Sequence, residues 1–140
     1  MRLTARVDYA LRAMCALTAA EGDTVNTETI SAREGVPQKF LEGILRDLRR
    51  AGLVSSRRGP DGGHALALLA DNVTVADVIR AVDGPLALVR NLRPEQLEYS
   101  GSSVHLQQVW IALRASERKI LEGTTVADVV AGRVPGEAAT

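Results

Sequence analysis

A mainly α fold with one small β-hairpin is predicted by three observations. Apolar residues recur at three-to-four spacing in successive stretches, a break containing Gly and Pro joins two of those stretches, and "GPDGG" separates two short strand-like runs. With 46% hydrophobic and 24% charged residues among 140, the chain can bury one core, and a single globular domain is the expectation. No apolar run approaches the roughly 18 residues of a membrane span. The opening "MRLTARVDYALRAM" carries charge into its second turn, unlike a signal peptide, so a cytoplasmic protein is expected. Cys15 is the single cysteine, and with only His64 and His105 besides it the chain is poor in soft metal ligands; a structural zinc or Cys-ligated cluster is not expected.

The elements follow in order. Residues 5 to 20 place Val7, Leu11, Met14 and Leu17 among small alanines, an amphipathic helix ended by Gly22 and Asp23. "NTETISAREGVPQKFLEGILRDLRRAGLV" holds two helices broken at "GVP". Asn26 or Thr27 suits the first N-cap, Gly35 the stop, and Pro37 the opening of the second helix. Two short helices across such a turn make a helix-turn-helix, with Ile30, Ala32 and Val36 expected inside it. The second helix has an apolar stripe of Phe40, Leu41, Ile44, Leu45 and Leu48, and its other face carries Lys39, Glu42, Gly43, Arg46, Arg49 and Arg50.

Net charge is zero, yet Lys39 to Arg58 holds six cations (Lys39, Arg46, Arg49, Arg50, Arg57, Arg58) against two anions (Glu42, Asp47). A charged helix face is usually only solvated; beside a helix-turn-helix it is read as facing DNA. "LVSSRR" and "HALAL" around "GPDGG" form a hairpin, and a hairpin after such a helix is a wing whose Arg57 and Arg58 can reach phosphates or a narrow minor groove. A phosphate-binding P-loop is excluded, because no Lys-Ser or Lys-Thr follows the glycines.

Beyond Asn72, "TVADVIRAVDGP" opens with a capping box and stops at Gly84-Pro85. "TVADVV" recurs from Thr125 and is read as a reused cap rather than an internal repeat. Residues 86–102 have weak periodicity and form a connector. From Ser103, Leu106, Val109, Leu113, Ser116 and Ile120 make a three-four seam with Trp110 and Leu121 beside it, a long helix expected to form a dimer interface. The expected organisation is a winged helix-turn-helix domain over 1–85, a connector and effector region over 86–102, a dimerisation helix with a short C-terminal helix over 103–132, and a disordered tail over 133–140.

"MRLTARVDYALRAM", "TISAREGVPQKFLEGILRDLRRAGLVSSRRGPDGGHALA" and "TVADVIRAVDGP" closely resemble the Rrf-type winged-helix transcription regulators across about residues 1 to 85, and "LRRAGLV...RGPDGG" is the most specific mark. Asp61 stands where a glycine is common and His64 where an aromatic is common. The resemblance implies that Gln38, Lys39, Phe40 and Glu42 meet the major groove and that Arg58 enters the minor groove. Gln pairs with adenine, Glu accepts from the cytosine amino group, and Lys or Arg serves guanine or phosphate. Phe40 suits either a thymine methyl or the core; Tyr9 and Arg2 would add backbone contacts; Arg46, Arg49 and Arg50 are assigned to phosphates.

Cluster-binding members of that family carry three cysteines in the connector, the last about six residues before a Trp. Here Val104 stands six before Trp110, Gln107 stands where one member has a ligand His, and the connector holds no cysteine, so a branch without an iron–sulfur cluster or other cofactor is expected. His105 is read as a surface residue and Cys15 as a buried, inert thiol. With no nucleophile beside a base, no enzyme is expected. The partners expected are double-stranded DNA with a palindromic operator and a second copy of the chain. The signal is expected from a small molecule held between connector and winged domain, or from a protein partner.

Overall fold

The computed structural model describes residues 2–86 and 88–135. Helix α1 (Ala5–Ala19) begins where the Thr4 hydroxyl accepts from the Val7 amide, and it buries Val7, Ala10, Ala13, Met14, Ala16 and Leu17. Its alanines let neighbouring helices approach closely, and α1 is the hub on which four later helices pack. Helix α2 (Thr27–Glu34) is capped by Asn26, whose Oδ1 accepts from the Thr29 amide at 2.8 Å. It stops at Gly35, left-handed with φ 66°, where the Ser31 hydroxyl donates to the Val36 carbonyl at 2.6 Å and holds the turn. Pro37 then leads into α3 (Gln38–Arg50).

Ile30 and Val36 enter the core as expected, but Ala32 faces solvent. The small buried residues lie instead on α1, whose Ala10, Ala13 and Ala16 are in the core and which packs on both α2 and α3. On α3 the buried stripe is Leu41, Ile44, Leu45 and Leu48; Phe40 is 45% exposed and lies outside it. At about 100° per residue, Phe40 sits beyond the arc those four share.

Strands β1 (Val54–Arg57) and β2 (Gly63–Leu66) form the antiparallel hairpin, with Val54 opposite Leu66 and Arg57 opposite Gly63. Gly59-Pro60-Asp61-Gly62 closes it, the Gly62 amide donating to the Gly59 carbonyl at 2.9 Å. Pro at the second position and Gly at the fourth suit a type I turn, which accepts Asp at the third without positive φ. Asp61 therefore leaves the wing intact. Val25 adds a third strand position that its sequence context does not announce: its amide and carbonyl each bond His64 backbone at 2.8 Å. Gly63 is needed there, because at φ 150° a Cβ would come within 2.7 Å of the Val25 backbone.

Helix α4 (Val75–Asp83) and the short α6 (Val126–Ala131) each start with a capping box, Thr74 with Asp77 and Thr125 with Asp128. The two "TVADV" segments lie side by side. Thr74 and Thr125 pair in an antiparallel bridge, the Val75 amide donating to the Thr124 carbonyl and the Val126 amide to the Val73 carbonyl, both at 2.9 Å. Val126 is fully buried in the core that holds Met14, Ile30, Leu41 and Leu48. The winged unit is thus completed by a segment beyond residue 123, whereas the sequence reads as if it closed at 85.

Two 3-10 turns, Pro94–Gln96 and Gly101–Ser103, precede α5 (Leu106–Glu122), which starts at the first residue of its seam, three residues after the expected Ser103. None of the 17 residues of α5 is buried. Of the disordered tail expected over 133–140, residues 136–140 fall outside the described residues, while Arg133 is held in place by its amide and guanidinium on Asp128 at 2.8 and 2.9 Å. Among the described residues no helix is long and apolar enough to cross a membrane.

Candidate nucleic-acid interface

Helix α3 presents Gln38, Lys39, Glu42, Arg46, Arg49 and Arg50 to solvent, all exposed. On an ideal helix these six fall within roughly 120° of arc, opposite the buried stripe. Pro37 fixes the approach to the first turn, and Gln38 and Lys39 stand at the helix start. Of the two anions in this stretch, Asp47 is drawn away by an ion pair with Arg6 of α1. Glu42 is left as the one carboxylate on the exposed face.

Phe40 stacks on Tyr9 of α1, ring centroids 5.7 Å apart and planes 27° from parallel, with Lys39 Nζ 5.0 Å from the Phe40 centroid and the Arg12 guanidinium 6.0 Å from that of Tyr9. The aromatic pair joins the start of α3 to α1, so two residues expected to meet DNA also brace the helix that carries them. Arg2 precedes α1 on the surface.

The wing stands beside the C-terminal half of α3. Arg49 Nη1 donates to the Ser56 hydroxyl at 3.3 Å. That hydroxyl lies 2.8 Å from His64 Nδ1, while His64 Nε2 lies 3.2 Å from the Thr27 hydroxyl at the start of α2. The hydroxyls of Ser56 and Thr27 each can donate or accept, so either neutral tautomer of His64 completes both bonds. Burial, and then the Arg49 charge, hold the His64 pKa below its ordinary value. Where an aromatic is common in the family, this histidine ties wing, α2 and α3 together. Its position as an unusual wing residue is visible in sequence, but its partners are not. Arg57 ends β1 and Arg58 opens the turn, both exposed, so Arg58 sits nearer the wing tip than the hairpin base.

The other singled-out residues lie elsewhere. Leu106, Val109, Leu113 and Ile120 project from one side of α5, between 36% and 55% exposed. Trp110 is half-buried, its Nε1 donating to the Tyr99 hydroxyl at 3.1 Å, and Gln107 Nε2 donates to the Pro94 and Glu95 carbonyls at 3.1 and 3.2 Å. Both side chains fasten the connector to α5. Cys15 is half-buried rather than fully buried; burial, then the Glu34 charge, raise its pKa and favour the protonated, unreactive thiol. His105 is exposed at the start of α5.

Over residues 3–132 the chain matches the family model Rrf2, described as an iron-dependent transcriptional regulator. It is 48% identical over 136 residues to Rv1287 of Mycobacterium tuberculosis, which carries the name of an HTH-type transcriptional regulator, spanning 96% of this chain and 84% of that one. The solved structure of CymR, the global cysteine regulator of Bacillus subtilis, is similar at TM-score 0.79 and 29% identity, covering 94% of this chain and 97% of that one. IscR of T. potens follows at TM-score 0.76 and 28% identity, covering 98% and 91%.

The iron named in the family description does not fit the residues present. The connector has no thiol, Gln107 is spent on backbone carbonyls, and no group of three His, Cys, Asp or Glu side chains among the described residues could hold a metal ion. The family model spans residues 3–132 and these relatives match nearly the whole chain, so the chain belongs to the Rrf2 family of winged-helix transcriptional regulators.

Proposed function

We propose that this protein is a repressor that binds an inverted-repeat operator as a homodimer, reading sequence with α3 and gripping the minor groove with the wing. The observation that carries the reading is the pairing of one exposed, basic α3 face with an arginine-bearing wing held beside it through Arg49, Ser56 and His64. Gln38, Lys39 and Glu42, at the start of α3, enter the major groove and read base edges. Phe40, stacked on Tyr9 yet 45% exposed, is the side chain to touch a thymine methyl. Arg46, Arg49, Arg50 and Arg57 bind phosphates with Arg2 and Tyr9, and Arg58 enters the minor groove.

The exposed α5 stripe supports the homodimer. Four large apolar side chains on one side of a helix with no buried residue are costly to leave in water. Ile120 continues the stripe into an 850 Å³ groove between α5 and α6, which gives a partner helix a place to seat. To read an inverted repeat, a dimer formed on this stripe has to hold its two α3 helices one DNA turn apart, about 34 Å. On an operator that overlaps a promoter, such a dimer excludes polymerase without any further contact, and repression follows.

The test is selection from random duplexes at two salt concentrations, with Arg58→Ala and Glu42→Ala beside the parent protein. An enriched palindrome, weakened throughout by Arg58→Ala with the salt slope reduced by about one, and relaxed at one base position by Glu42→Ala, is the expected result. Binding indifferent to both changes defeats the assignment and moves the search to a protein partner needed for DNA binding. Derepression of a reporter on deleting the regulator tests the repressor output.

A further inference from the structure

Four arginines line one cavity of about 340 Å³ between α4, the connector and α5: Arg80, Arg93, Arg114 and Arg118, with Gly84, Pro85 and Leu86 completing the lining. Like charges do not gather around a small volume without compensation. Part of it is internal. Arg80 and Arg118 share the Glu122 carboxylate, and Arg114 pairs with Glu95 at 2.9 Å. Four guanidiniums against those two carboxylates leave two positive charges. Arg93 has no ion pair among the described residues, and Arg114, only 20% exposed, has a buried Nε with no hydrogen-bond partner. A buried, unpartnered guanidinium nitrogen is a cost that a bound acceptor would remove.

We propose that this cavity binds a small dianion carrying carboxylate or phosphoryl oxygens. Its volume suits a small molecule, and planar guanidinium forks match such oxygens two at a time. The cavity joins α5 and the connector to α4, and α4 packs on α1 and α3. Resting on the regulator reading above, the same ligand is the effector: by drawing Arg93 of the connector toward Arg114 of α5, it alters how the α5 stripe is carried relative to α3.

Titration calorimetry of the full chain with inorganic phosphate and with malonate, against chloride at matched ionic strength, tests the site without DNA. Saturable binding of at least one probe, weakened about tenfold or more by Arg93→Gln and by Arg114→Gln but unchanged by Arg33→Gln on α2, is expected. Arg93→Gln breaks no ion pair, so it separates loss of the ligand from loss of fold should Arg114→Gln unfold. No saturable heat beyond the chloride control, or equal binding by Arg93→Gln, overturns the site. Binding that leaves the affinity for a selected operator unchanged overturns the effector role. If the probe binds and no operator is ever enriched, the regulator reading fails while the site stands.

Discussion

His64 links the wing to α2 through one side chain, and burial there holds its pKa down. Neutral, it donates through one ring nitrogen and accepts through the other, bridging Ser56 and Thr27; protonated, both nitrogens are donors and both hydroxyls must accept, Ser56 from Arg49 as well. Because the folded pKa lies below the ordinary value, the folded protein resists a proton that the unfolded chain takes up. The His64 contribution to stability is therefore complete above about pH 6.5 and is lost as pH falls from there through the lowered folded value. Urea midpoints followed across that range should decline for the parent protein, and His64→Phe should flatten the decline; an unchanged slope would show that His64 is not the group responsible. The neighbouring Gly63 makes a second test: Gly63→Ala puts a methyl into the Val25 backbone at a left-handed φ and should cost about 2–4 kcal/mol in denaturant unfolding. The polar residues of α3 and the wing were legible in sequence because helix period and turn chemistry dictate exposure. The Ser56–His64–Thr27 chain was not, since nothing local says that strand, hairpin and helix meet.

At the scale of elements, patterns that specify a face were readable and patterns that specify a partner were not. The α5 seam is such a face: Leu106, Val109, Leu113 and Ile120 lie along one side as their spacing requires, and all are exposed. Trp110, one position off the seam, turns instead to Tyr99 and secures the connector, a use that only the tertiary hydrogen bond reveals. Phe40 likewise sits one step outside the α3 stripe and stacks on Tyr9 rather than entering the core. These placements separate assembly from folding. Val109→Glu with Leu113→Glu should give a monomer by light scattering and weaken operator binding on the order of 100-fold, because two half-sites no longer bind as one. The protomer should keep its stability within about 0.5 kcal/mol, as neither side chain is buried within it. A dimer persisting in the double variant would locate the interface elsewhere.

Across the whole molecule, the chain order of wing, connector and long helix suggests a DNA-binding unit followed by an appended assembly unit, yet the fold crosses that division. Helix α6 returns to α1, the "TVADV" segments pair, and Val126 enters the same core as α3. Sequence marks Val126 as an apolar residue behind a strong cap but cannot name the core that receives it, because periodicity carries no address over 50 residues. The consequence is energetic coupling between the two ends of the chain. Val126→Ala removes two buried methyl groups from a site with no exposure and should cost about 2 kcal/mol, lowering the thermal midpoint by several degrees. Val130→Ala, on the same short helix but 45% exposed, should change little. Far-ultraviolet circular dichroism and a fluorophore attached to the wing should then report one coincident transition for Val126→Ala. Were α6 energetically separate from the recognition unit, the wing signal would keep the parent midpoint while only the signal from the C-terminal helices moved.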